Sequence, residues 1–155
     1  MNKQEIIHKL HTAKRDHLAW VGRAELLVQG IPIKKDQIPV LHTDCDFGRW
    51  YYDEGQVLMV FKEFKEIEAV HKALHQAYAQ IFKLITEEEN ESLFSKLLGI
   101  AKRHHEKNEP IIKQKMIELE EASRAMIRRL DALEAKLHTM SDEEFAKKIG
   151  HLTAV

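Results

Sequence analysis

With a single cysteine in 155 residues there is no internal disulfide framework, so packing or a bound ion must hold this chain together. Glycine (six) and proline (three) are scarce, aromatic residues make up only 7%, and charged residues reach 32%. That balance disfavours turn-rich β folds and favours helices. The formal net charge is −1, which supplies no basic field for nucleic acid or for an anionic membrane surface. No apolar run approaches the roughly 20 residues that cross a bilayer, and the first residues hold no signal-type apolar core. The expectations are a cytoplasmic, reducing compartment and neither nucleic acid nor membrane as partner. The length suits one domain with its own core.

What the chain has instead is sustained helical periodicity. Ile6, Leu10, Ala13, His17, Trp20, Ala24 and Leu27 alternate in steps of four and three. So do Val57, Val60, Phe64, Ile67, His71, Leu74, Tyr78, Ile81 and Ile85, and again Ile112, Met116, Leu119, Ser123, Met126, Leu130, Leu133 and Leu137. Such seams face a core. The pattern predicts a first helix from about Asn2 to Gln29, stopped by Gly30, and a crossing loop over 30–43 with two prolines. A short helix from about Asp44 to Asp53 follows, capped by Thr43 or Asp44 so that Cys45 lies in its first turn. A long helix should span about 56–85, and a Thr86/Glu89 capping box should open another over 87–107. Asn108-Glu109-Pro110 should then interrupt the chain, with a kinked but continuous helix as the alternative, before a last long helix to about His138.

The expected architecture is all-α: an antiparallel four-helix bundle with a short extra helix carrying the cysteine, over residues 1–140, and a short C-terminal tail over 141–155. In that tail, Ser141 and Glu144 repeat the capping-box pattern ahead of a short helix bearing Phe145 and Ile149. Its small apolar face reads as a docking tail or, preferably, as a loosely packed end.

Two seam positions are histidines, His17 and His71, and His75 follows His71 by one turn. Residues four apart on a helix lie roughly 6 Å apart along the axis and about 40° around it, so both imidazoles share a face. Burying an imidazole costs about 1–3 kcal/mol unless it is paired, and a metal would satisfy inward histidines on two helices at once. A lone seam histidine is more often a core residue bonded to a carbonyl or carboxylate, and an HxxxH pair also arises by chance on solvated faces. The conjunction of His17, His71 and His75 with the lone Cys45 is what favours a metal. Cys45 sits in Thr43-Asp-Cys-Asp-Phe-Gly-Arg-Trp50, where Gly48 would admit another backbone and Phe47 and Trp50 would give apolar cover. His42 is a reserve ligand. His8, His11, His104 and His105 read as peripheral.

Together, His17-Leu-Ala-Trp20, Cys45-Asp-Phe-Gly-Arg-Trp50 and His71-x-x-x-His75, in that order, resemble the chemoreceptor zinc-binding (CZB) domain family. The resemblance covers roughly residues 10–85. It implies a helical bundle holding one Zn2+ through His17, Cys45, His71 and His75, with Trp20, Phe47, Gly48 and Trp50 packed around the ion. Domains of this family are usually fused to bacterial chemoreceptors or diguanylate cyclases, and nothing here resembles either output domain. The implied protein is a stand-alone zinc or thiol-oxidant sensor, not an enzyme. It would signal to a partner in trans, such as a chemoreceptor or diguanylate cyclase system, or through a homodimer with Ile7, Val28, Phe61, Phe82 and Ile127 available as a pairing face.

Two other classes compete. Glu68-x-x-His71 is half of a ferritin-like or hemerythrin-like di-iron motif, but the chain has no second copy. A metal-free helical adaptor would use the same seams for association alone.

Overall fold

The computed structural model describes residues 1–31, 41–96 and 101–150, of which 87–96 and 101–107 by backbone only. The chain is helical, with no strand among the described residues. In order it forms α1 (Lys3–Val28), α2 (Asp46–Tyr52), a 3₁₀ segment (Glu54–Val60), α3 (Lys62–Lys65), α4 (Ile67–Lys96), α5 (Ala101–His138) and α6 (Asp142–Gly150). The loop expected over 30–43 lies largely outside the described residues.

α1 opens with a reciprocal box: the Asn2 side chain accepts from the Glu5 amide at 2.9 Å, and the Asn2 amide donates to the Glu5 carboxylate at 2.7 Å. It stops at Gly30, whose φ of +77° is the left-handed conformation that glycine adopts without penalty. The Gly30 amide donates to Leu27 O and that of Ile31 to Leu26 O, each at 3.0 Å, which satisfies the last carbonyls in the Schellman pattern.

Two expected helix boundaries are absent. α4 runs through Thr86, whose hydroxyl donates back to the Phe82 carbonyl at 2.8 Å instead of capping a new helix. α5 runs through Pro110 as one 38-residue helix, so the continuous alternative is the one adopted. A proline inside a helix costs about 3 kcal/mol. Burial of Ile112, Leu119, Met126, Leu130, Leu133 and Leu137 on one seam outweighs that, at about 1.5–3 kcal/mol for each large side chain. The described residues thus hold three long α-helices and three short ones instead of four long and two short, and the helix expected over 56–85 is broken at its start: a 3₁₀ segment and α3 precede α4, which begins only at Ile67.

The long helices are mutually oriented by contacts along their length. Lys3 donates to the Met140 carbonyl at 2.7 Å and His11 meets Glu134 at 2.7 Å, which sets α1 antiparallel to α5. Arg129 reaches Glu66 at 2.7 Å, beside the start of α4, while the other end of α4 leads within a few residues into α5. The three seams meet in one core that includes Ile6, Leu10, Ile67, Leu74, Ile81 and Leu119, all fully buried.

α6 is docked, not loose. Phe145 is buried in the same core, and its ring stacks on Phe61 with centroids 6.2 Å apart. The pairing face expected at Ile7, Val28, Phe61, Phe82 and Ile127 is also not free. Ile7 and Phe61 are buried, Val28 and Phe82 pack against the core, and Ile127 is half-buried. Among the described residues no helix is long and apolar enough to cross a membrane.

Candidate metal centre

The α1 seam carries His17 into the core, where it is 2% exposed. Its Nδ1 lies 2.6 Å from the Ala13 carbonyl one turn back, an acceptor that obliges Nδ1 to carry the proton. Nε2 is therefore left with its lone pair, and this buried atom has no hydrogen-bond partner. Histidines that bind metals are commonly oriented in this way, with one nitrogen tied to a carbonyl and the other presented to the ion.

α4 supplies His71 and His75, both buried, with rings 4.7 Å apart and nearly perpendicular. The His17 ring lies 5.1 Å from that of His71 and 6.1 Å from that of His75. Cys45 comes from the opposite wall, its Sγ 3.3 Å from His71 Nε2. One donor atom from each of these four residues falls within 4.8 Å of the other three. A tetrahedral zinc with bonds of about 2.0–2.3 Å requires a cluster of this kind. One sulfur and three imidazole nitrogens, with an orphaned buried Nε2 among them, fit that ion.

Cys45 is placed differently from the expectation. It does not lie in the first turn of α2 but is itself the N-cap, and its sulfur accepts from the Gly48 amide at 3.1 Å. Gly48 is required here: a Cβ would land on the His42 carbonyl oxygen and 3.2 Å from Thr43 Cα. The close backbone approach expected of this glycine is what folds 42–45 over the start of α2. Phe47 lies 5.1 Å from His71, and Trp20 lies 5.0 Å from His17 and 4.7 Å from His75, so aromatic rings pack against the cluster.

Burial controls the electrostatics. It pushes the Cys45 thiol up to about 11, against the pull of the Gly48 and Phe47 amides. It drives His71 down to about 2, with His17, His75 and His42 adding to the effect, and lowers His17 against the Ala13 carbonyl. His17 and His71 are thus held in the neutral form that ligates metals. A cation bound in the cluster would stabilise the thiolate, so that the proton is released to solvent.

The remaining candidates fall elsewhere. His42 is half-buried, with its ring 6.0 Å from His71 and 5.8 Å from Tyr52, and it does not join the cluster. Glu68 binds Lys72 at 2.7 Å and Tyr52 at 3.0 Å, and those two partners hold its carboxyl below the usual range. A di-iron site therefore lacks even its first glutamate. His8 is exposed, and His11 serves the Glu134 ion pair. The side chains of His104 and His105 lie outside the described residues. Sequence reasoning missed the Ala13 carbonyl, because a backbone acceptor leaves no signature in residue type. It also missed the Tyr52–Glu68 bond, which joins separate elements.

Helices without strands among the described residues, and a buried sulfur and three imidazoles converging at one point, define a helical protein with a candidate metal site of the Cys/His type. Residues 17–82 match the family model described as the chemoreceptor zinc-binding domain, CZB, the same family that the three motifs resemble. The match begins at His17 and takes in all four clustered residues; α5 and α6 lie beyond it. No curated protein and no solved structure gives a match to the chain.

Proposed function

We propose that the protein is a zinc-responsive regulatory module in which His17, Cys45, His71 and His75 bind one Zn2+. The observation that carries this reading is the buried, unpartnered Nε2 of His17 inside a cluster that also holds the only sulfur of a cysteine in the chain. Four protein donors fill a tetrahedral zinc and leave no position for water or substrate, which supports a structural or sensory ion and not a catalytic one. Bound there, zinc would stabilise the thiolate and tie separate stretches of the chain to one point.

Within α1 the Ala13 carbonyl orients the His17 ring through Nδ1, which leaves Nε2 as the atom by which a bound ion would tie α1 to the cluster. His71 and His75 present the α4 wall. Cys45 is the only donor outside a long helix, so its loss, whether by oxidation of the thiolate or by withdrawal of the metal, frees α2. The signal would pass to a partner in trans, such as a chemoreceptor or diguanylate cyclase system in a cytoplasmic setting, or through a homodimer. Elemental analysis of the purified protein tests the reading. The expected result is one zinc per chain, lost in each of His17→Ala, Cys45→Ala, His71→Ala and His75→Ala. Two irons per chain, or melting unchanged by a strong chelator, would defeat it.

A further inference from the structure

The C-terminal helix packs most closely on the 3₁₀ segment Glu54–Val60, which is continuous with the helix that Cys45 caps. The docking is specific. Phe145 is 3% exposed and its ring lies within 8° of parallel to that of Phe61, and Lys148 Nζ sits over the Phe61 ring, 5.4 Å from its centroid. Ile149 packs against the same core. At the near end Lys3 meets Asp142 at 2.9 Å, and Ser141 and Glu144 cap the helix reciprocally at 2.8 and 3.1 Å. A nine-residue helix is marginal by itself, so α6 is helical because Phe61 and its neighbours receive it.

The receiving surface is joined to the metal cluster by a short and unusual stretch of chain. From Cys45 it passes through α2, whose Trp50 carbonyl lies so near Gly55 that a Cβ there would stand 2.8 Å away. Gln56 then donates to the Tyr51 carbonyl at 2.7 Å. Seven residues of 3₁₀ structure follow to Val60, well beyond the three or four that this conformation commonly sustains. Its hydrogen-bond geometry is poorer than that of an α-helix, and it lies between the sulfur donor and Phe61.

We infer that α6 is a latch read out by the metal site: its docking on Phe61 is coupled, through the Cys45–Val60 stretch, to occupancy of the cluster by zinc. The inference rests on the zinc reading above and adds to it the element that moves. With the ion held, Cys45 fixes α2 and the 3₁₀ segment against α1 and α4, and Phe61 presents its ring to Phe145. With the ion gone, the stretch relaxes, α6 undocks and melts, and Phe145 and Ile149 become available to a partner. Because coupling between sites is reciprocal, removing the latch must weaken zinc binding by the factor by which zinc tightens the latch.

The test is amide hydrogen exchange over residues 142–150 of the full chain, with zinc and after stripping by EDTA, beside zinc titrations of wild type and Phe145→Ala. Stripping should speed exchange in α6 at least tenfold while the α5 seam at 119–133 stays protected. Phe145→Ala should weaken zinc binding by a similar factor. Should that variant not fold, Ser141→Ala removes the exposed cap without touching the core and carries the same comparison. One zinc bound per chain, with unchanged α6 exchange and a variant affinity within twofold of wild type, would overturn the latch and leave the zinc reading standing. Absence of zinc binding in wild type would remove both.

Discussion

Three of the clustered donors sit on helices of 26 and 30 residues, whereas the fourth heads a helix of seven. His17 and His71 are placed by periodicity, on seams that apolar burial anchors, and His75 follows one turn after His71 on the same helix. Cys45 is placed by local contacts: a sulfur capping its own helix, a glycine against the His42 carbonyl, and aromatic rings packed behind it. Tyr51 stacks on Phe64 at 4.3 Å and donates to the Phe64 carbonyl at 3.3 Å, which ties the end of α2 to the entrance of α4. The contrast teaches where a response can originate. Long helices set a fixed frame on one side of the cluster, and a short limb closes it from the other.

The sharpest test of that contrast removes the limb's donor. Cys45→Ala should weaken zinc binding by more than the 10–100-fold typical of losing a group that merely supports a ligand. It should also leave the long helices folded, as judged by competition against a chromophoric chelator and by circular dichroism. Stoichiometric zinc at unchanged affinity would end the division between frame and limb.

Next in size is Trp20→Ala, which attacks the frame. Trp20 is 7% exposed and borders His17 and His75, so truncation should cost about 3–5 kcal/mol in denaturant unfolding. A loss below about 1 kcal/mol would mean that the ring is not part of the frame. Gly48→Ala returns to the limb. The added methyl must displace the His42 backbone, at about 1–3 kcal/mol, and should weaken zinc binding by moving Sγ away from His71; normal zinc affinity in a stable variant would show that the close approach is dispensable.

The smallest effect lies in the frame, far from the cluster. Burial pushes the Glu134 carboxyl up, but Lys14 and His11 outweigh it and hold the group at about 2. With the folded value below the unfolded one of about 4.3, its contribution to stability is present above that value and is lost as pH falls toward about 2. Lys14→Met should cost at most about 1 kcal/mol at neutral pH and flatten that acid limb in urea melts. An unchanged slope would show that the pair does not set acid stability.

Much of this was legible in the residues. The seams gave the buried faces of α1, α4 and α5, because a 3.6-residue period maps sequence directly onto one side of a helix. The three motifs gave the four clustered residues, and Gly30, Gly48 and Ser141 were read from the conformations their residue types favour. Thr86 was misread because a threonine three residues before Glu89 and directly after the last seam residue, Ile85, fits the capping pattern equally well when its hydroxyl bonds back within a continuing helix. Pro110 was ambiguous because the cost of one missing donor can be judged only against the packing of the whole helix. The role of α6 escaped because Phe61 and Phe145 are brought together by the fold and not by any spacing.

The order of residues, by itself, determined that the chain is helical, which faces are buried and which four side chains suit a soft, nitrogen-rich metal site, since all of these follow from periodicity and donor chemistry. Only the tertiary structure decided that Cys45 caps its own helix, that the Thr86 and Pro110 boundaries are bridged, and that α6 rests on the segment downstream of the cysteine. Those outcomes depend on free-energy differences between packed alternatives, which are fixed by contacts between residues far apart in the chain.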